Sequence, residues 1–410
     1  MTHKTNSKKP NRKKVVVQKK ITNVPDYTFL NPTEPLIITA PLPLVQINQK
    51  FNWLSVRWLI VVSGCLLVGL AILSGWWWQI TDHKSQITNQ KSINTNITIG
   101  NNINVGTNSE LNAIAPLTGQ LVSTETATRR PWAVVVENFP AVRPQAGLSS
   151  ADVVFEAPTE GGITRFLAIF QSALPIRVGP IRSARPYFND WTRTFMAFYS
   201  HSGGTSEALT QLKKGYGNLQ DVNEFFNEYA YERDHTKLPP HNLFTGVERF
   251  WNYVTNRGWT INQPTPSFKF SNVISLAPAT TITIPYTPKE YQVTWNYLPI
   301  TSTYERYLNK IIQTDANTGE PLKYHNVIVL LTDITPILND PLLRINIRTL
   351  GTGKAILFSR GFKYTGRWIK LHLDSPLSFV NDNNESLPLE IGQTWISVLE
   401  ATRGGEIIVN

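Results

Sequence analysis

Arg182 and Arg185 stand three apart in the stretch GPIRSARPYF, between Pro180 and Pro186, inside a region from Arg129 to Leu212 that contains no lysine. Arginine occurs there at 129, 130, 143, 165, 177, 182, 185 and 193. A guanidinium is planar and always charged. It grips a carboxylate or phosphate by two parallel bonds, where lysine supplies a point charge. Glu137, Asp152, Glu156 and Glu160 accompany these arginines, and Glu160 leads into Gly161–Gly162, a pair that lets backbone approach a ligand closely. His201 precedes another glycine pair in SHSGG, and Asp234, His235, His241 and Asn242 share the loop RDHTKLPPHNLFTG.

If these loops converge, Arg165, Arg182, Arg185, Glu160, His201, His241 and Asn242 line one polar cleft. Three readings follow. The arginine forks bind an anionic component of a cell envelope. Alternatively Glu160 or His201 serves as acid or base in an envelope hydrolase or transferase, with an arginine steadying negative charge. In the third reading the arginines pair internally with carboxylates, pin loops, and make the protein purely structural. Binding is the reading carried forward. An Arg-to-Lys change at 182 or 185 is then expected to weaken it.

Other chemistries find no support. GTGK at 351–354 has Arg348 and Ala355 where a phosphate loop needs Gly and Ser/Thr, so it reads as a turn. SHSGG lacks the Gly-x-Ser-x-Gly spacing of a nucleophile elbow. The seven histidines are scattered, without a His-Glu-x-x-His pair, so neither a metal site nor a cofactor is expected. Cys65 is the single cysteine, which removes disulfides and cysteine nucleophiles from the rest of the chain.

The elements that would position these residues show in the apolar pattern. WAVVV, ADVVFEA and ITRFLAIF read as strands, the last two joined by a PTEGG turn at 158–162. Pro186 suits the first turn of a helix carrying Tyr187, Trp191 and Phe195. TGVERFWNYVTNRG reads as a helix capped by Thr245 with Glu248 completing a capping box, ended by Gly258, and presenting Phe250, Trp251 and Val254 on one face. After a Pro/Thr/Ser-rich stretch the chain turns to β with YQVTWNY, NVIVLL, RINIRTL, KAILFS, RWIKLHL and TWISVLE; YTG at 364–366 reads as a hairpin turn. The expected fold class is α+β: a mixed first domain at 129–265, then a mostly antiparallel β domain at 282–405, preceded by one transmembrane helix.

Charge locates the body. The 410-residue chain carries +10, but residues 1–57 hold ten basic against two acidic residues, and 58–80 hold none. The nearly neutral remainder does not read as a nucleic-acid binder. WLIVVSGCLLVGLAILSGWWWQI at 58–80 is long enough for a bilayer at about 1.5 Å per residue, with tryptophans at both ends. Basic residues on its N-terminal side predict a single-pass signal-anchor, N-terminus cytoplasmic and body extracytoplasmic. The tail 1–57, basic then Pro-rich, reads as disordered, with anionic lipid or a polyproline-binding protein as its partner. Residues 81–128, rich in Asn, Thr and Ser, read as a linker with a reach on the order of 40 Å. VSGC at 62–65 offers an alternative, lipidation of Cys65 after signal cleavage, but the start is long and the apolar run continues past it.

RPWAVVVENFPAVRPQAGLSSADVVFEAPTEGGITRFLAIF, VGPIRSARPYF, YSHSGGTSEAL and PPHNLFT resemble, in order, the bacterial YerB-like envelope proteins. VTWNY, YHNVIVLLTD, GTGKAILFSRG, GRWIK and IGQTWISV resemble the second of that family's paired domains of unknown function. The resemblance covers about residues 129–402 and implies an extracytoplasmic protein with a domain boundary near 265–282. It brings no catalytic residues. Members of the family are lipoproteins with a short signal, whereas a long basic tail precedes the apolar run here.

Overall fold

The computed structural model describes residues 112–410, apart from 218, 273, 275 and 276. The tail 1–57, the apolar run 58–80, Cys65 and residues 81–111 of the expected 81–128 linker lie outside the described residues; the rest of that stretch is folded, with Ala113–Ile114 paired to Leu121–Val122, a helix at Thr124–Thr128 and Leu117 fully buried. Among the described residues no helix is long and apolar enough to cross a membrane.

WAVVVE forms β1 (Trp132–Glu137), and every residue of it is buried. Such a run suits a strand covered on both faces. β2 (Val153–Pro158), β3 (Thr164–Phe170), β4 (Phe198–His201) and β5 (Gln220–Asn223) share its sheet. So do β6 (Asn326–Thr332), β7 (Gly351–Ser359), β8 (Phe362–Lys370), β9 (Ser378–Val380) and β10 (Thr394–Glu400). The order is β9-β8-β7-β6-β10-β2-β3-β1-β4-β5. Strands from both sides of the expected 265–282 boundary thus form the two halves of one ten-stranded sheet, joined where β10 lies parallel to β2, Thr394 opposite Val153.

The pairing is mixed. β6, β10, β2, β1, β4 and β5 run in one direction, with β3 antiparallel between β2 and β1. Their carboxyl ends, Thr332, Glu400, Pro158, Glu137, His201 and Asn223, therefore lie along one edge. A second, antiparallel sheet built from Thr281–Ile284, Val293–Leu298, Thr303–Leu308 and shorter strands supplies the antiparallel β character expected of the later region.

Period-two alternation divides the large sheet's side chains between two cores. Trp132, Val134, Val136 and Phe166 join one with Trp295 and Trp395; Ala133, Val135, Phe155 and Leu167 join the other with Tyr187, Phe188 and Trp191 of α1 (Pro186–Thr194). Pro186 opens α1, as the sequence predicts. Phe155 stacks on Trp191 at 4.9 Å, and Trp132 on Phe250 of α3 (Val247–Asn256) at 4.2 Å. Between them α2 (Ser206–Lys213) is capped by the Thr205 hydroxyl, which accepts from the Ala208 amide.

Three local expectations are corrected. Gly246, not Thr245, is the N-cap of α3, because the Thr245 hydroxyl donates instead to the Ala230 carbonyl at 2.6 Å. GTGK is the first part of β7 rather than a turn, and YTG runs through β8. The chain reverses at Arg360–Gly361, both with positive φ (52° and 77°), the geometry a tight hairpin needs.

Candidate functional site

The arginine cluster is assembled by the segment 182–185, which crosses the carboxyl ends of β1 and β4. The Arg182 amide donates to the Val135 carbonyl, the Ser202 amide to the Arg182 carbonyl, and the Ala184 amide to the Gly203 carbonyl. Pro186 then starts α1, so the side chains of 182 and 185 project over the sheet edge where Glu137 and His201 end their strands.

Arg182 Nη2 donates to Glu137 Oε1 at 2.6 Å, and Nη1 to the Pro240 carbonyl at 3.3 Å. His241 Nδ1 lies 2.9 Å from Glu137 Oε2 and 3.0 Å from Arg182 Nη2. That nitrogen has one role at a time. Protonated, it donates to Glu137; unprotonated, it accepts from Arg182. The exposed Phe139 ring stacks on the imidazole at 5.5 Å.

Arg185 closes a two-bond fork on Glu160, Nε to Oε1 at 2.5 Å and Nη2 to Oε2 at 2.7 Å. Burial alone would raise the Glu160 carboxyl; the bonds and charge of Arg185 outweigh it and hold the group below its ordinary value. His201 is fully buried: Nδ1 sits 2.7 Å from the Gly203 carbonyl and Nε2 2.9 Å from Asp221 Oδ1. Both neighbours are acceptors, and both ring nitrogens are engaged within the fold. The expectation of an open, available imidazole at 201 does not hold in this arrangement. Asn242 is also buried, but it accepts from Arg233, which pairs with Glu224, in an adjoining group.

Arg165 differs from the other two forks. Half-buried on β3, it donates from Nη1 to the Ser183 carbonyl at 3.2 Å, a carbonyl that Arg185 also contacts, and forms no ion pair among the described residues. Burial, and then the like charge of Arg185, push it down to about 10. Sequence reasoning missed Tyr199, which shares a sheet face with His201 two residues on. Its hydroxyl is buried without a hydrogen-bond partner. Burial raises this phenol well above its ordinary range, and it feels the charges of Asp221, Arg185 and Arg165. Period-two placement beside His201 was the available signal.

Asp234 is committed to Arg177 (2.8 Å), which also lies over the Phe244 ring. Glu156 accepts both Nη2 contacts of the fully buried Arg306, at 2.9 and 2.8 Å, and binds the later strands to the earlier ones. Among the described residues no cluster of His, Cys, Asp and Glu is arranged to hold a metal ion.

Two family profiles, the N-terminal and C-terminal domains of the protein of unknown function DUF3048, match residues 117–260 and 282–396. The chain is 34% identical over 289 residues to a Bacillus subtilis protein named "Putative lipoprotein YerB", covering 70% of this chain and 86% of that one. The crystal structure of YerB from Bacillus subtilis superposes with a TM-score of 0.65 at 31% identity, over 73% of this chain and all of that one.

Proposed function

This chain belongs to the DUF3048 family of YerB-like proteins, and on that footing we propose that its body is an extracytoplasmic envelope module that binds an anionic group at Arg165. The observation that carries the reading is the unmatched charge. Arg182 and Arg185 each hold a carboxylate, while Arg165 stands desolvated beside Arg185 with a single carbonyl partner. A carboxylate or phosphate seated there completes the fork and offsets the repulsion. The ligand class is an envelope polymer or lipid bearing such groups.

The proposal moves the ligand-facing role from Arg182 and Arg185 to Arg165. Catalysis by Glu160 or His201 has weaker support. Glu160 is held ionised by Arg185, which suits no proton donor near neutrality, and His201 has no exposed surface.

The test is thermal. A ligand that binds only the folded form raises the melting temperature by mass action. Inorganic phosphate at constant ionic strength should raise it for the native protein and not for Arg165→Met. An equal rise in both removes the assignment.

Attachment to the membrane follows the same footing: a single-pass anchor at 58–80 with the N-terminus inside, or a lipid on Cys65 as the relative's name suggests. Gel mobility separates them, since the lipidated form loses everything before Cys65.

A further inference from the structure

The carboxyl edge of the sheet carries a second feature, at the ends of β2, β10 and β6. An open cleft of about 380 Å³ is walled by Tyr286, Ile334, Ile337, Leu343, Ile345 and Leu399. Its size falls within the range of ligand pockets, and its walls are mainly apolar, with Glu400 and Arg403 as the charged residues on its rim. One wall is an arm in which Ile334–Pro336 pairs antiparallel with Ile345–Ile347. The tip of that arm leaves Leu338 89%, Leu342 64% and Leu343 68% exposed. Among the described residues nothing covers these three leucines on one short tip.

The turn after β2 borders both features. Glu160 reaches one way, to Arg185; Gly161 and Gly162 line the cleft on the other. Gly161 has positive φ (66°), and a side-chain carbon added there would meet only open space. Gly162 packs against the Thr287 carbonyl, where a side chain would collide at 2.7 Å. The turn is therefore open at Gly161 and closed at Gly162. In open α/β sheets ligands gather outside the carboxyl ends of the strands, and here one such edge holds a cation with no ion pair among the described residues and a mainly apolar cleft.

We infer that the ligand is an anionic amphiphile: a carboxylate or phosphate head at Arg165 and an alkyl chain in the cleft beneath the leucine-tipped arm. The inference rests on the anion reading above and adds the chain. Charge complementarity fixes the head, and the apolar wall fixes the tail.

The described residues 112–410 belong to one compact unit, and the crystallised chain of the Bacillus subtilis relative is matched over its whole length by 73% of this chain, so a fragment of residues 103–410 is the material for the test. Calorimetric titration compares phosphate with decyl phosphate, acetate with decanoate, and decanol, all below micelle formation. A chain-bearing ion should bind at least tenfold tighter than its chainless counterpart. Leu343→Glu, at an exposed position, should abolish that gain and keep the affinity for the bare ion; Arg165→Met should lower both.

If the bare ions bind and the chain adds nothing, the amphiphile inference falls and the anion reading stands. If decanol binds as tightly as decyl phosphate and decanoate, and Arg165→Met changes nothing, the cleft takes chains without a head and both statements fall. Absence of any binding also overturns both.

Discussion

Glu137 and Arg165 face each other across the antiparallel pair β1–β3, yet they form no ion pair. Both Glu137 oxygens are taken, one by Arg182 and the other by His241. An acid and a base placed opposite on neighbouring strands normally attract. Here the carboxylate is turned away, and the cation is left with a carbonyl.

Arg165→Met should therefore stabilise the protein. It removes a desolvated charge beside Arg185 and sacrifices one hydrogen bond to the Ser183 carbonyl and part of the attraction to Glu160. Because Arg165 is only half-buried, the gain is below the roughly 1–4 kcal/mol found when fully buried ion pairs are replaced by apolar residues. Urea unfolding measures it. A loss of stability would mean that Arg165 is a structural fork like its neighbours.

Arg185→Lys should do the reverse. The ammonium keeps the charge but cannot reproduce the two parallel bonds to Glu160, so stability should fall by roughly 1–2 kcal/mol. Phosphate affinity should drop less than in Arg165→Met. Chemical denaturation and calorimetry on the same sample read both numbers.

The fully buried Glu156–Arg306 pair gives a larger effect. Thr164 and Trp395 also donate to the Glu156 carboxylate, and the guanidinium of Arg306 lies over the Trp395 ring at 4.7 Å. Arg306→Met leaves an uncompensated carboxylate and should cost about 3–5 kcal/mol. Adding Glu156→Gln should restore more than half of that loss in a double-mutant cycle, because the remaining donors still find an acceptor.

Asp152 makes stability depend on pH. Burial raises its carboxyl to about 7, against the pull of the Ser172 and Gln171 amides that donate to it. In the unfolded chain it titrates near ~3.9. Between those values the folded protein keeps a proton that the unfolded chain has released. Its contribution to stability is therefore present at pH 4 and lost as pH rises through 7. The melting temperature of Asp152→Asn should match the native protein at pH 4 and exceed it progressively up to pH 7.5.

Much of this was legible in the sequence where a local rule governs. Pro186 at the start of α1, the 158–162 turn and the strand WAVVVE follow from backbone chemistry and apolar runs. The misplaced hairpin shows the limit. Gly366 is in β8 because a side chain would strike the Val380 carbonyl, a contact made across strands, while the actual reversal uses Arg360 in a conformation that usually favours glycine. Thr245 is a good capping residue diverted by a carbonyl fifteen positions away.

The site shows the same division. Residue types identified the arginines and acids, but which arginine is left over depends on pairings such as Glu137 with Arg182 and Glu160 with Arg185, set by how separate loops meet. Tyr199 stayed hidden because a tyrosine in an apolar strand reads as core until its hydroxyl is found without a partner.

Anomalous scattering from crystals of residues 103–410 soaked in tungstate, a heavy analogue of phosphate, tests the central claim most directly. A tungstate oxygen within hydrogen-bonding reach of the Arg165 guanidinium, absent in Arg165→Met, is the predicted result. Tungsten bound only at exposed lysines, with nothing beside Arg165, would contradict it.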